Sequence, residues 1–364
     1  TLCLYPVPGV ISGTNSICIG GTSVLTQTGS AGTWSSSSTG IATIGSSTGT
    51  VTGVAAGVVT ITYNGSNTCG TAISTYSLTV NPNPAPITGT LSTCENGGTA
   101  TLFDATPGGT WTSGHPGIAT IGATSGVVTG VSAGGAPATA TITYTLPTGC
   151  TRTTNFVVNP LPLVFSVTGG GNYCSGGTGV NIGMNNSTSG VSYELFTGGS
   201  PMGTVAGTGG SVDFGLFTTV GSYTAVATNV STGCVKNMSG SVTVGLNPNP
   251  AVPGGATSVC AGLTALVTDA TPGGTWTTSN PSVATIGVGT GIVTGVTAGT
   301  ANLTYTLGTT GCRSTTLFQV HPQPSAITGA SNVCVGALTT LTNSGGGTWS
   351  SSTPGVATIG AGTG

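Results

Sequence analysis

The stretch TATITYTLPTGC, Thr139–Cys150, decides the fold. Ala140, Ile142, Tyr144 and Leu146 alternate with Thr139, Thr141, Thr143 and Thr145. Strict alternation predicts a strand with one buried face, because successive side chains point to opposite sides of a sheet. The second face is all threonine, where a soluble sheet normally carries Lys and Glu. The run then ends in a turn and a cysteine. The meaning of the chargeless face and the role of the cysteine set the questions for the rest of the chain.

Charge is scarce throughout. The 364 residues hold 3 Lys+Arg and 5 Asp+Glu, with a net charge of −2. A typical globular chain is about a quarter charged. This balance offers nothing to nucleic acid or to an anionic membrane surface. Hydrophobic residues make up 37% and fall in short periodic runs, which argues for a folded β protein over a disordered one. No apolar run is long enough for a membrane-spanning helix, so no membrane insertion is expected in this stretch. With 66 Gly and 20 Pro, turns interrupt the chain roughly every 8–12 residues, the spacing of a β-sandwich.

Paired prolines divide the sequence. Pro6, Pro82, Pro160, Pro248 and Pro322 each begin a P-x-P element, at intervals of 76, 78, 88 and 74 residues. Such a period marks a tandem array with small-domain units. The expected parts are a last strand of a preceding unit (1–5), complete units at 6–81, 82–159, 160–247 and 248–321, and an incomplete unit at 322–364. The unit at 160–247 is divergent. It reads GVSYELF and GSYTAVATN in place of the tryptophan-centred pattern of its neighbours.

Each complete unit carries two cysteines: Cys18 and Cys69, Cys94 and Cys150, Cys174 and Cys234, Cys260 and Cys312. The economical expectation is one bridge within each unit, with Cys3 and Cys334 unpaired in this stretch. Zinc is the rival reading, but no C-x-x-C occurs and no metal site is expected. Disulfides imply an oxidising, extracytoplasmic setting. Trp34, Trp111, Trp276 and Trp349 recur at one position per unit, with Tyr193 filling the place in the divergent one. They read as core aromatics of a central strand; stacking platforms for sugars are the alternative. Asp104 and Asp269, both in DATPGGTW, read as turn caps. No acid pairs with a His or Ser in any repeated way, so no enzyme and no cofactor are expected.

At Gly274–Leu307, GTWTTSNPSVATIGVGTGIVTGVTAGTANLTYTL, the chain resembles the bacterial Ig-like domain, group 2. The motifs that carry this are W-[ST]-x-S, NP-x-VATI, G-x-VTGV and AGTA-x-x-TY. The same pattern starts at Gly32, Gly109 and Gly347. The divergent unit resembles a second Ig-like module of large Bacteroidota surface proteins. The resemblance implies an all-β tandem array of Ig-like β-sandwich domains in a secreted or cell-surface protein, of adhesin or gliding-protein type and exported by the type IX route. The expected function is a non-catalytic stalk or fibre. A self-assembling filament and a carbohydrate-binding array are the alternatives, so the candidate partners are further copies of the chain and surface glycans. The threonine faces are read either as a hydrated or glycan-bearing wall or as a packing surface for another copy.

Overall fold

The computed structural model describes residues 9–363; the expected strand at 1–5 and Cys3 lie outside them. Every regular element among the described residues is a strand. The chain divides into two compact units. One comprises Thr1–Val167, Met184–Val212 and Thr224–Gly240, the other Thr168–Gly183, Asp213–Tyr223 and Ser241–Gly364.

In the first unit, the opening stretch forms strand Ala138–Thr145 and pairs antiparallel with Thr151–Asn159 across the PTGC turn. Ala140, Ile142, Tyr144 and Leu146 are buried, as the alternation predicts. Their sheet has the order Ser92–Cys94, Thr151–Asn159, Ala138–Thr145, Thr110–Ser113. The facing sheet runs Thr88–Gly89, Thr99–Phe103, Val127–Gly130, Ala119–Ile121. Trp111, Leu102, Val128, Ile142 and Phe156 fill the space between. Closing this apolar face is what drives the sandwich, at about 1.5–3 kcal/mol for each large side chain fully buried. The preceding repeat has the same main sheet: Ser16–Cys18, Gly70–Asn81, Gly57–Asn67, Gly32–Ser36. Its core is built on Trp34, Ile61 and Leu78. The first unit also holds the hairpin Val191–Thr197 with Ser200–Ala206.

The second unit repeats the plan. Its main sheet runs Ser258–Cys260, Arg313–His321, Gly299–Leu307, Gly274–Thr278, over a core of Trp276, Leu303 and Phe318. Beyond it, residues 322–363 contain one short pair, Thr328–Gly329 with Leu341–Thr342.

One glycine explains the G-x-VTGV signature. Gly49, Gly126 and Gly291 have φ of 69°, 67° and 69°, where a side chain is strained. A Cβ there would lie 2.3, 2.3 and 2.1 Å from the carbonyl oxygens of Leu25, Leu102 and Val267. The glycine lets the turn press its backbone against the neighbouring strand, beside the tryptophan ring.

The threonine faces form cross-strand rows. Thr110, Thr145 and Thr151 lie in one row, and Thr112, Thr143 and Thr153 in the next. In the fourth repeat the hydroxyls of Thr304 and Thr315 are 3.1 Å apart. Threonine combines high strand propensity with cross-strand hydroxyl pairing, and so supports the sheet without charge.

Candidate functional site: the joints between repeats

Each repeat has two poles. The exit pole is where its last strand runs into the P-x-P element. There the short first strand pairs parallel to the last, against its final residues, and puts its cysteine opposite the residue before proline. Cys18 faces Asn81, Cys94 faces Asn159, Cys174 faces Asn247 and Cys260 faces His321. The ladder stops there because proline has no N–H to extend it. The carbonyl before proline takes one more bond, from Ile19, Glu95, Ser175 and Ala261 N–H respectively.

The entry pole holds the hairpin turn that ends in the second cysteine. In the second repeat Cys150 immediately precedes the strand Thr151–Asn159, and Cys94 sits at that strand's far end. Nine residues of strand separate the two by about 25 Å. A disulfide needs Cα atoms within about 7 Å. The same holds in the fourth repeat, where Cys312 precedes Arg313–His321 and Cys260 faces His321.

The within-repeat pairing expected from the sequence is therefore wrong. The bridges are Cys18–Cys150, Cys94–Cys234 and Cys174–Cys312, with Cα–Cα distances of 5.6, 5.6 and 5.5 Å. Each joins the exit-pole cysteine of one repeat to the entry-pole cysteine of the next. The first two lie within the first compact unit and the third within the second. Cys69 is disulfide-bonded as well. Cys312, expected to pair with Cys260, is bonded to Cys174, and Cys260 and Cys334 are free thiols.

Polar side chains hold the proline elements in place. Asn83 Nδ2 donates to Ile19 O at 3.0 Å, and Asn249 Nδ2 donates to Ser175 O at 3.0 Å. Both tie the linker to the residue after an exit cysteine. In NPLP the corresponding residue is Leu161, and Glu95 takes over. Its two oxygens accept from Leu161 N at 3.1 Å and Ala133 N at 2.8 Å. On the far side, Ala85 N and Ala251 N donate to the hydroxyls of Thr106 and Thr271, both at 2.9 Å. Those threonines belong to the DATPGGTW turns. Asp104 and Asp269 cap the turns by accepting from Thr106 N at 2.8 Å and Thr271 N at 2.7 Å. Tyr144 and Tyr305 close them, donating to Thr106 O at 2.7 Å and Thr271 O at 2.8 Å.

The same tyrosines are the ring partners of the tryptophans. Trp34–Tyr63, Trp111–Tyr144 and Trp276–Tyr305 have centroids 4.7, 4.6 and 4.9 Å apart. Trp34, Trp111 and Trp276 are buried, and Tyr193 is fully buried with its hydroxyl accepting from Thr188 N at 2.8 Å. Trp349 is half-exposed and lines an open cleft of ≈ 370 Å³ with Pro324, Ile327 and Asn343.

Sequence reasoning singled out the cysteines, tryptophans and aspartates. It missed Asn83, Asn249, Glu95, Thr106 and Thr271. The available signal was the second asparagine of NPNP and its replacement by leucine in NPLP, where an acid follows Cys94.

Residues 240–318 match the bacterial Ig-like domain, group 2. The first and second repeats share the strand order of that segment's main sheet. The chain is a tandem array of Ig-like β-sandwiches. No curated protein matches the sequence. Among solved structures it is similar to the I-band fragment I67–I69 from titin, at 12% identity and TM-score 0.28, covering 66% of this chain and 99% of that one. The insect immune protein hemolin gives 13% identity and TM-score 0.23, covering 87% and 100%. Protocadherin gammaB7 EC3–6 gives 13% identity and TM-score 0.21, covering 86% and 99%.

Proposed function

We propose that this chain is a non-catalytic structural repeat region of an extracellular or cell-surface protein, serving as a covalently braced stalk or fibre. The observation that carries the reading is the bridge pattern. Each disulfide spans a joint between repeats, the place where a tandem array bends and where a linker is open to proteases. Three such bonds require an oxidising compartment to form and persist. The acids at the joints serve as backbone acceptors: Glu95 for a linker N–H, Asp104 and Asp269 for turn N–H groups. Burial of Trp34, Trp111 and Trp276 removes the stacking platform that a carbohydrate-binding array would need in those repeats. A surface nearly free of Lys and Arg gives trypsin few places to cut. An adhesin stalk exported by the type IX route is the specific form of this reading that the sequence resemblance favours.

The test is thiol labelling on intact producing cells with a membrane-impermeant maleimide. Labelling on intact cells is the expected result, at the exposed free thiol of Cys334 without reductant and at further cysteines after mild external reduction. Labelling confined to lysates, without any reductant, would contradict the extracellular reading.

A further inference from the structure

We infer that the staggered bridges make the array a covalent cable that no single backbone cut between Cys18 and Cys312 can part. The inference rests on the structural reading above and gives that structure a specific property: tolerance of nicking.

The argument is one of connectivity. The Cys18–Cys150 bridge spans 132 residues, Cys94–Cys234 spans 140 and Cys174–Cys312 spans 138. Because the intervals overlap, every peptide bond between residues 18 and 312 lies inside at least one closed loop. A cut before Cys150 leaves the two sides joined through Cys18–Cys150. A cut after Cys174 leaves them joined through Cys174–Cys312. The stretch between Cys150 and Cys174 lies outside both, and it is covered by Cys94–Cys234. The middle bridge closes the one gap that the outer two leave.

Within-repeat bridges would behave differently. They would protect the sandwiches and leave each proline joint as a single-stranded weak point. The joints are also the accessible places. In the joint after Asn159, Leu163 and Val164 are 64% and 48% exposed and belong to no strand. An extracellular stalk meets proteases there first. The stagger moves the covalent redundancy to that spot.

Purified, oxidised full chain carrying a site for a sequence-specific protease between Leu163 and Val164 tests this. After complete cleavage the sample is blocked with N-ethylmaleimide and run on denaturing gels. The expected result is one full-length band without reductant and two fragments with it. Adding Cys94→Ser should give two fragments in both lanes, because it opens only the middle bridge. Two fragments without reductant from the parent insertion would overturn the inference, as would a single band from the Cys94→Ser form. These outcomes are independent of where the protein resides in the cell, which the labelling experiment decides separately.

Discussion

Cys18 is bonded to Cys150, 132 residues away, although Cys69 stands much nearer in sequence. The reason lies in one strand. Gly70–Asn81 begins just after Cys69 and ends opposite Cys18, which holds those two cysteines at opposite poles of their repeat. The exit-pole cysteine is bonded instead to the entry-pole cysteine of the following repeat, across the joint.

Because the bridges brace joints while the cores lie inside each sandwich, reduction should lower the thermal midpoint without unfolding the array at room temperature. On the chain-entropy model, closing loops of this size stabilises by about 5 kcal/mol each. Far-UV circular dichroism at 25 °C should keep its β signal after reduction, while the melt shifts down by several degrees. Loss of the β signal on reduction at 25 °C would show that the cores depend on the bridges.

Bridge topology also limits extension. From Cys18 a pull crosses to Cys150, follows about 24 residues to Cys174 and crosses to Cys312. Pulled by its ends past unfolding, the oxidised chain should stop at ~300 Å, against ~1,200 Å when reduced, at ~3.4 Å per residue. Within-repeat bridges would give ~500 Å on the same count. Single-molecule stretching with and without reductant separates the three.

At the joints, Asp104→Ala removes the acceptor for Thr106 N and loosens the turn that holds the linker. A destabilisation of about 1 kcal/mol is expected, in line with loss of a side-chain cap. Asp104→Asn keeps an acceptor oxygen and should cost less. Asp104 Oδ2 is buried with no protein partner, so the charge itself forms no bond that Asn would lose. Equal losses in the two variants, measured by denaturant unfolding, would contradict the capping role.

Trp276→Ala should destabilise the fourth repeat by about 3–5 kcal/mol, since the ring is buried against Tyr305. Leu317→Ala, on the outer face of the strand Arg313–His321 of the same sheet and 62% exposed, should stay within about 0.5 kcal/mol. Glycan binding lost on Trp276→Ala with the fold intact would instead favour a sugar-binding surface.

With 2% charged residues, stability should be nearly flat through neutral pH. Tyr223 sets an alkaline limb. Burial pushes its hydroxyl above the usual 10.0, opposed by its hydrogen bond to Thr219 and reinforced by Tyr173. The folded state then holds the proton more tightly than the unfolded chain, so this contribution is intact below pH 10 and falls as pH rises beyond it. Tyr223→Phe should flatten that limb in thermal melts taken across the alkaline range.

Much of this architecture is legible in the sequence. Alternation alone gives the buried face Ala140, Ile142, Tyr144 and Leu146, and the recurring tryptophan is buried in the first, second and fourth repeats. The expected central strand is corrected: Trp34, Trp111 and Trp276 lie on the outermost strand of their four-stranded sheets, where the facing sheet still covers the ring. The bridges are not legible from cysteine counting, because repeats with two cysteines each allow a within-repeat or a staggered pairing at similar regular spacings. What decides is a long-range parallel pairing, Ser92–Cys94 along the end of Thr151–Asn159, which local propensity does not encode. The length of that last strand, together with the register, excludes the nearer partner. The joint clamps escape for a similar reason. Asn83 reaches Ile19 across 64 residues of sequence, and Glu95 reaches Leu161 across 66.

The pairing itself is the central claim, and non-reducing peptide mapping tests it most directly. Digestion with pepsin in acid avoids thiol exchange and does not depend on the scarce Lys and Arg. Linked peptides containing Cys18 with Cys150, Cys94 with Cys234 and Cys174 with Cys312 are the expected result. Linked peptides joining Cys18 to Cys69, Cys94 to Cys150 and Cys174 to Cys234 would contradict it.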